Sequence, residues 1–301
     1  MDKEIYYKYF EDNILPVILP FEKRRKNAVK KVIFTSLLFF AAGIIFAGLF
    51  ILNSLNEFVN PLILPVLLFL MYAFILKSII NIIIEGKNYL KMLVEKVLPM
   101  FFEPAANFKR WPDNIDTEAV LETQLFPNFD TREDVYTFFG IYKNVNIKIA
   151  DSRLTLPIKS SVKSFLFKGT TIQLEFPFSI NNHVIMISKN TAKVNHYKQI
   201  NPHIEEMNKY LYVFAKKSEN DFLTEEFWYI IKRFGELYNA KSFRLSFKNN
   251  VLYIALEQKY PMQFGFLFRS LTNPKNFDDL IDRFIVIYDL VDYLLTTKKA
   301  S

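Results

Sequence analysis

The chain has 301 residues, of which 51% are hydrophobic and 23% charged, with a net charge of +7 and no cysteine. The lack of cysteine excludes a disulfide framework, a thiol nucleophile and any Cys-ligated zinc or iron–sulfur site. The positive charge does not mark a nucleic-acid surface: residues 1–102 carry 12 Lys/Arg against 8 Asp/Glu and residues 103–301 carry 26 against 23, so no basic excess is concentrated anywhere.

The first 31 residues form a lead that mixes Tyr and Phe with charge and then turns apolar from Ile14 to Phe21, interrupted by Pro16 and Pro20. An interfacial segment on the cytoplasmic leaflet and a short helix packed on the globular part both fit this pattern. From Val32 to Leu52 there follow 21 residues without a charge, about 31 Å of helix, enough to cross a bilayer core. So long a preceding lead does not suit a cleaved signal peptide. After the short link Asn53–Glu57, a second apolar run extends from Phe58 to Leu76, with Pro61 and Pro65 near its start. A link that short returns the chain across the same bilayer, which predicts an antiparallel transmembrane hairpin over residues 32–52 and 58–76. Lys23, Arg24, Arg25, Lys26, Lys30 and Lys31 precede it and Lys77, Lys87, Lys91 and Lys96 follow it, whereas the link has neither Lys nor Arg. Both biases place the two termini in the cytoplasm and the link outside. Gly43 and Ala47 form a small-xxx-small pair suited to close helix approach, within the hairpin or in a homo-oligomer. Without an ionisable residue deep in either predicted span, the hairpin is an anchor rather than a pore.

Residues 77–102 continue as a juxtamembrane helix, with Leu90, Leu93, Val94, Val97 and Phe101 at helical spacing, ending near Pro99 or Pro104. Beyond it, residues 103–301 switch to a period of two. VYTFFGIY, NVNIKIA, RLTLPI, TIQLEFPF and HVIMIS read as strands bounded by turns. Thr191–Glu206 is a polar loop or short helix, and YLYVFA returns to strand character. The next helix starts behind Thr224 as N-cap, with Glu225 and Glu226 at its positive end and Leu223 stapled to Trp228. SFRLSF and VLYIALE are strands around a Lys248-Asn249-Asn250 turn, and a last helix spans Phe277–Thr296. The fold class is therefore α+β: an N-terminal transmembrane helical hairpin, then a cytoplasmic domain of mostly antiparallel sheet with two or more packing helices.

No chemistry-bearing constellation emerges. His196 and His203 with Glu205 and Glu206 lie seven residues apart rather than four, and His183 stands alone, so no metal is assigned. Asp113, Asp116 and Glu118, and Asp130, Glu133 and Asp134, read as solvated turns and helix caps rather than paired catalytic carboxylates. The seven glycines form no phosphate-cradling loop and no nucleophile elbow. No catalytic or cofactor-binding residue is assigned, and no cofactor.

Four segments carry a resemblance: Phe21–Lys26, an FEKRRK lead before the spans; LFPNFDTREDVYTFFGIYKNVNIKIADSRL from Leu125; SFLFKGTTIQLEFPF from Ser164; and YVFAKKSENDFLTEEFW from Tyr212. They are similar to a bacterial two-transmembrane family called domain of unknown function 3137. The resemblance implies an inner-membrane protein with a cytoplasmic domain and carries no activity or functional residues with it. The expected function is a membrane-anchored cytoplasmic binding or scaffolding module whose partners are the bilayer and a protein or further copies of itself. The alternatives are a membrane-bound enzyme assembled from scattered carboxylates such as Asp116 and Asp134, and an accessory subunit of a transporter or envelope complex.

Overall fold

A computed structural model describes residues 3–56, 63–101, 109–110, 116–127, 129–155, 165–190, 197–217, 222–259 and 270–300. Glu57, Pro61, Pro104, Asp113 and His196, named above, lie outside the described residues. The chain divides into two units, one of Met1–Tyr9, Leu98–Gln263 and Phe277–Ser301, the other of Phe10–Val97 and Phe264–Asn276.

The helical unit begins with a π turn, Phe10–Ile14, that leads into helix α2, Leu15–Asn56. The π turn precedes Pro16, which has no N–H to offer the carbonyl four residues back, and a wider register skips that missing donor. Pro20 is accommodated inside α2, which therefore runs unbroken through the apolar stretch. Helix α3, Ile63–Lys96, packs against α2. Pro65 falls in its first turn, where proline costs little. The second apolar run and the predicted juxtamembrane helix are thus parts of one helix. Among the described residues, one helical stretch, Lys3–Ile51, is long and apolar enough to cross a membrane, and its most apolar window is wholly unburied. In α3 the corresponding stretch, Tyr72–Asn81, is shorter. Among the described residues the expected pair of spans is therefore matched by one such helix, and Phe58–Leu62, the start of the second expected span, lie outside the described residues.

The other unit is α+β. Helix α1, Lys3–Tyr9, precedes β1, Lys109–Arg110, and α4, Thr117–Glu122. Then come β2, Thr131–Tyr142; β3, Val145–Thr155; β4, Phe165–Ser188; β5, Lys198–Ile200; α5, Glu205–Tyr210; β6, Leu211–Ala215; α6, Glu225–Leu237; β7, Ser242–Glu257; and α7, Asp278–Ala300. All strand pairs are antiparallel, in the order β1-β2-β3-β4-β6-β5 with β7 paired to β4. β2 and β3 are joined by Lys143 (φ 48°) and Asn144 (φ 65°), the two left-handed residues of a type I′ hairpin. Of RLTLPI, Arg153–Thr155 finish β3 and the remaining three residues lie outside the described residues.

β7 folds back on itself. The Lys241 N–H donates to the Glu257 carbonyl at 2.8 Å, and the Ser242 hydroxyl donates to the Glu257 carboxylate at 2.7 Å. A straight strand of 16 residues would hold these ends about 50 Å apart. The bend is at Asn249, whose φ of 54° is the left-handed geometry the sequence pattern anticipates there. β4 wraps around this hairpin: its first half pairs β3 on one edge and Val251–Glu257 on the other, and its second half pairs β6 and residues 244–248. TIQLEFPF and HVIMIS are the two arms of this wrap.

One face of the sheet carries Ile185, Ile187, Ala150, Leu154, Phe167, Tyr253 and Ala255, closed over by Val120, Leu125 and Phe126. The opposite face meets the helices: Phe247 lies 5.4 Å from Phe222, which stands edge-on at 5.5 Å to Phe227 of α6. Thr224 caps α6 by accepting the Phe227 N–H at 3.2 Å, as its position before Glu225-Glu226 predicts. The helix ends at Asn239 (φ 47°), where Ala240 and Asn239 N–H groups return to the Gly235 and Glu236 carbonyls, both at 3.0 Å, the pattern of a Schellman cap. Helix α7 is the fastening strip of the unit. Its Asp278 and Asp282 accept from Tyr7 and Lys3 of α1, Asp289 from Arg233 of α6, and Asp292 from Tyr142 and Lys143 of the β2–β3 hairpin.

Candidate functional site

Among the described residues, the groups nominated by the sequence are dispersed, and several have local work. Asp116 caps α4 by accepting the Glu118 N–H at 3.0 Å. Asp134 lies in a buried polar cluster on the sheet: Arg132 donates to both its oxygens at 3.1 and 2.9 Å, and Ser152 donates at 2.6 Å while bonding Thr171 at 2.7 Å. Glu133 stands 3.8 Å from Arg153. Glu206 receives the Trp228 indole N–H at 3.0 Å and Lys232 at 2.7 Å, and His203 is exposed. Among the described residues no three His, Asp or Glu side chains converge as metal ligands.

His183 is the histidine with an organised environment. Its Nε2 is 2.8 Å from the Ser246 hydroxyl and its Nδ1 3.1 Å from the Tyr197 hydroxyl. These are the contacts of a base between a hydroxyl and an orienting group, but His183 is 3% and Ser246 1% exposed, which leaves a substrate no approach. Burial first, then the nearby Lys248 charge, lowers the His183 pKa to about 4, so the ring is neutral at pH 7. It serves as a packed hydrogen-bond bridge. Asp151 is perturbed in the opposite direction. Burial, with Asp134 and Glu133 adding to it, raises its pKa to about 7 against the pull of Arg153 and Lys168, and its Oδ1 has no hydrogen-bond partner.

The open concavity of this unit lies elsewhere. A groove of about 320 Å³ runs between α6 and the starts of β6 and β7, lined by Tyr210, Trp228, Lys232, Glu236, Lys241 and Phe243. Tyr210 and Trp228 stack with ring centroids 6.3 Å apart, and Glu206 fixes the indole edge and Lys232 together. Aromatic faces beside exposed charges suit the binding of a protein segment; nothing in the groove supplies a nucleophile with a base. The sequence pattern marks α6 but not the groove, because Tyr210 and Phe243 are brought to Trp228 only by strand order.

In the helical unit, the Phe21–Lys26 motif has a structural function. Arg25 makes a bidentate pair with Glu22 at 2.8 and 2.7 Å, and Glu22 also accepts the Leu271 N–H at 3.1 Å. Glu22 and Arg25 are buried, at 3% and 8% exposure, and the arginine holds the Glu22 carboxyl below the ordinary range. Arg25 is therefore buried in an ion pair, whereas Lys23, Arg24, Lys26, Lys30 and Lys31 beside the apolar stretch are exposed. Above them the helices present apolar side chains outward: Phe40 is 68%, Ile44 74% and Phe69 70% exposed. The exposed apolar surface of α3 does not stop at Leu76 but continues through Ile79, Ile80, Ile83 and Ile84. Among the described residues a Cβ on Gly43 would meet nothing within 4 Å.

Comparison with known proteins adds a domain assignment without an activity. Residues 165–295 match the family described as "Protein of unknown function (DUF3137)". The matched region covers β4 to most of α7 and leaves Phe21–Lys26 outside it. No curated protein matches the chain. Among solved structures, the crystal structure of the mycobacterial trehalose monomycolate transport factor A is similar at a TM-score of 0.37 and 10% identity, over 67% of this chain and 96% of that one. Over residues 165–295 the chain thus resembles a domain of unknown function, preceded by a long apolar helix compatible with membrane anchoring.

Proposed function

We propose that the protein is a membrane-anchored binding or scaffolding module. In this reading α2 and α3 cross an inner membrane as a two-span hairpin, both termini and the α+β unit are cytoplasmic, and the Tyr210–Trp228 groove receives a protein partner. The observation that carries it is the outward apolar surface of both helices, with Ile44, Phe40 and Phe69 each about 70% exposed. So large a contiguous apolar surface is untenable in water and suits acyl chains. The exposed Lys23, Arg24, Lys26, Lys30 and Lys31 at one end of α2 set the proposed orientation.

The natural absence of cysteine makes the test direct. Single cysteines introduced as Asn60→Cys, Lys8→Cys and Ser301→Cys are exposed to a membrane-impermeant maleimide in intact cells stripped of outer layers. Labelling at residue 60 alone is expected, with residues 8 and 301 reacting only after lysis. Labelling of residue 301 in intact cells overturns the orientation, and labelling of residue 60 only after lysis overturns the hairpin. For the groove, Trp228→Ala in the full-length protein is expected to abolish recovery of a partner that co-purifies with the wild type; unchanged recovery removes the groove from the proposal.

A further inference from the structure

α3 carries one charge in the middle of an apolar surface, and its surroundings specify what neutralises it. Between Ile63 and Ile84 the only charged residue is Lys77. The depth of Lys77 follows from the helix pair. A groove between the helices is lined by Val32, Ser36 and Phe40 of α2 and by Ile75, Ile79 and Ile83 of α3. Steps of four on both helices, in an antiparallel pair, set Val32 level with Ile83, Ser36 with Ile79 and Phe40 with Ile75. Lys77 is then level with Leu38, six residues or about 9 Å inside the Val32 boundary.

Lys77 also lies on a distinct face. At 100° per residue it points away from the side of α3 that Ile75, Ile79 and Ile83 turn toward α2. It falls in line with Val66, Leu70, Ala73, Ile80 and Ile84, all exposed. The spacing of that stripe alternates four and three, which is the seam of a left-handed helix pair. An ionisable group on such a seam is costly in hydrocarbon unless paired.

Three sources of a counter-charge can be compared on the structure. The hairpin has none, since no Asp or Glu occurs between Val32 and Asn56 or between Ile63 and Ile84. For the same reason a second copy, docked seam to seam, brings only another lysine. A cytoplasmic phospholipid headgroup lies about 9 Å or more toward the C-terminal end of α3, beyond the roughly 6 Å that a snorkelling lysine side chain spans, and the Cα–Cβ bond starts toward the N-terminus, here the bilayer midplane. What remains is a carboxylate delivered at that depth by another protein.

Resting on the hairpin reading above, we propose that the Val66–Ile84 stripe of α3 docks a transmembrane helix of a different protein, and that Lys77 pairs with an Asp or Glu on that helix. The anchor is then also a recognition element, with the apolar stripe giving contact area and Lys77 the register.

The test uses the full-length chain in its native membrane, with a photo-crosslinking residue at Leu70, at Ile80, or at Ile75, which is buried between α2 and α3. The same protein adduct is expected from Leu70 and Ile80 and not from Ile75, with the crosslinked peptide a transmembrane segment containing Asp or Glu. Lys77→Arg retains the adduct, Lys77→Met and Lys77→Asp reduce it about tenfold, and Lys77→Asp regains it when the partner's acid is changed to Lys. Adducts to lipid alone, adducts to a second copy of this chain, a partner segment without a carboxylate, or an undiminished adduct in Lys77→Met each overturn the proposal. Lys77→Cys and Asn60→Cys labelling separates its failure from that of the anchor. External reactivity at residue 60 with none at residue 77 leaves the hairpin standing even where no protein adduct forms.

Discussion

Asp151 and His183 make opposed demands on pH, and removing either exposes the other. The ordinary aspartate value is 3.8 and Asp151 is raised to about 7, so between these pH values the folded state binds a proton that the unfolded chain has lost. Stability from this group is fully present below pH 3.8 and is lost as pH rises to about 7, by about 4 kcal/mol at most. His183 runs the other way: its pKa falls from 6.5 to about 4, so the unfolded chain binds the extra proton, and about 3 kcal/mol present above pH 6.5 is lost as pH falls through 4. Between pH 4 and 6.5 the two slopes nearly cancel. Asp151→Asn keeps the shape and removes the charge. Its stability minus that of the wild type should be near zero at pH 4 and rise by up to about 4 kcal/mol by pH 7.5. His183→Gln should give a difference curve of the opposite slope, displaced downward by the lost bonds to Ser246 and Tyr197. The assay is urea unfolding of the full-length protein in mild detergent, followed by tryptophan fluorescence at half-unit steps of pH. A difference curve for Asp151→Asn that is flat from pH 4 to 8 refutes the reasoning, since it means that the Asp151 carboxyl is solvated or paired in solution.

Glu22→Ala leaves the buried Arg25 without its bidentate partner and the Leu271 N–H without an acceptor, a loss of about 3–5 kcal/mol, expected as faster tryptic cleavage at Lys275. Gly169→Ala drives a Cβ into the Leu256 carbonyl oxygen; since backbone must move, at least about 3 kcal/mol is lost, measured by the same urea unfolding. Asn249→Gly relieves a non-glycine residue of φ 54° at the β7 bend and should shift stability by less than about 1 kcal/mol in either direction, whereas Asn249→Val, which resists that φ, should cost more.

Local rules made much of the fold legible. Thr224 before Glu225-Glu226 declares a cap, Lys143-Asn144 and Lys248-Asn249-Asn250 stand where the chain must turn left-handed, and the apolar spacing of α7 is helical from end to end. The nesting of one hairpin inside another is not written locally. TIQLEFPF and HVIMIS read as successive strands, yet they end on opposite sides of β7, more than 50 residues later in sequence, because only that placement pairs every strand edge between β3 and β6. The Tyr210–Trp228 groove is a product of the same long-range order. Individual carboxylates defeat sequence reading for a related reason: Asp116, exposed, and Asp134, fully enclosed, sit in similar acidic clusters, and only the arrival of Arg132, Ser152 and Thr171 distinguishes them.

The depth of Lys77 shows how pairing changes the meaning of a single residue. Along the sequence, Lys77 follows Leu76 and looks like the first cytoplasmic residue after a span. Beside α2 it is level with Leu38, and the isoleucines that follow it are exposed as apolar surface down to Ile84. Exposed apolar side chains run from Val66 to Ile84 on α3 and from Ile33 to Ile51 on α2, and the same register sets Ile84 level with Lys31, so both helices leave the apolar zone at one level. If Lys77 instead marked the boundary, four isoleucines would be left in water on α3 and Val32–Phe39 would be stripped of their counterpart on α2. In the proposed hairpin the cost of one charge at depth, about 2.5–3.5 kcal/mol on insertion scales, is smaller than that of exposing four isoleucines at roughly 1.5–3 kcal/mol each to water, so the balance favours a lysine held within the apolar zone, whose charge is the feature that the proposed partner would answer.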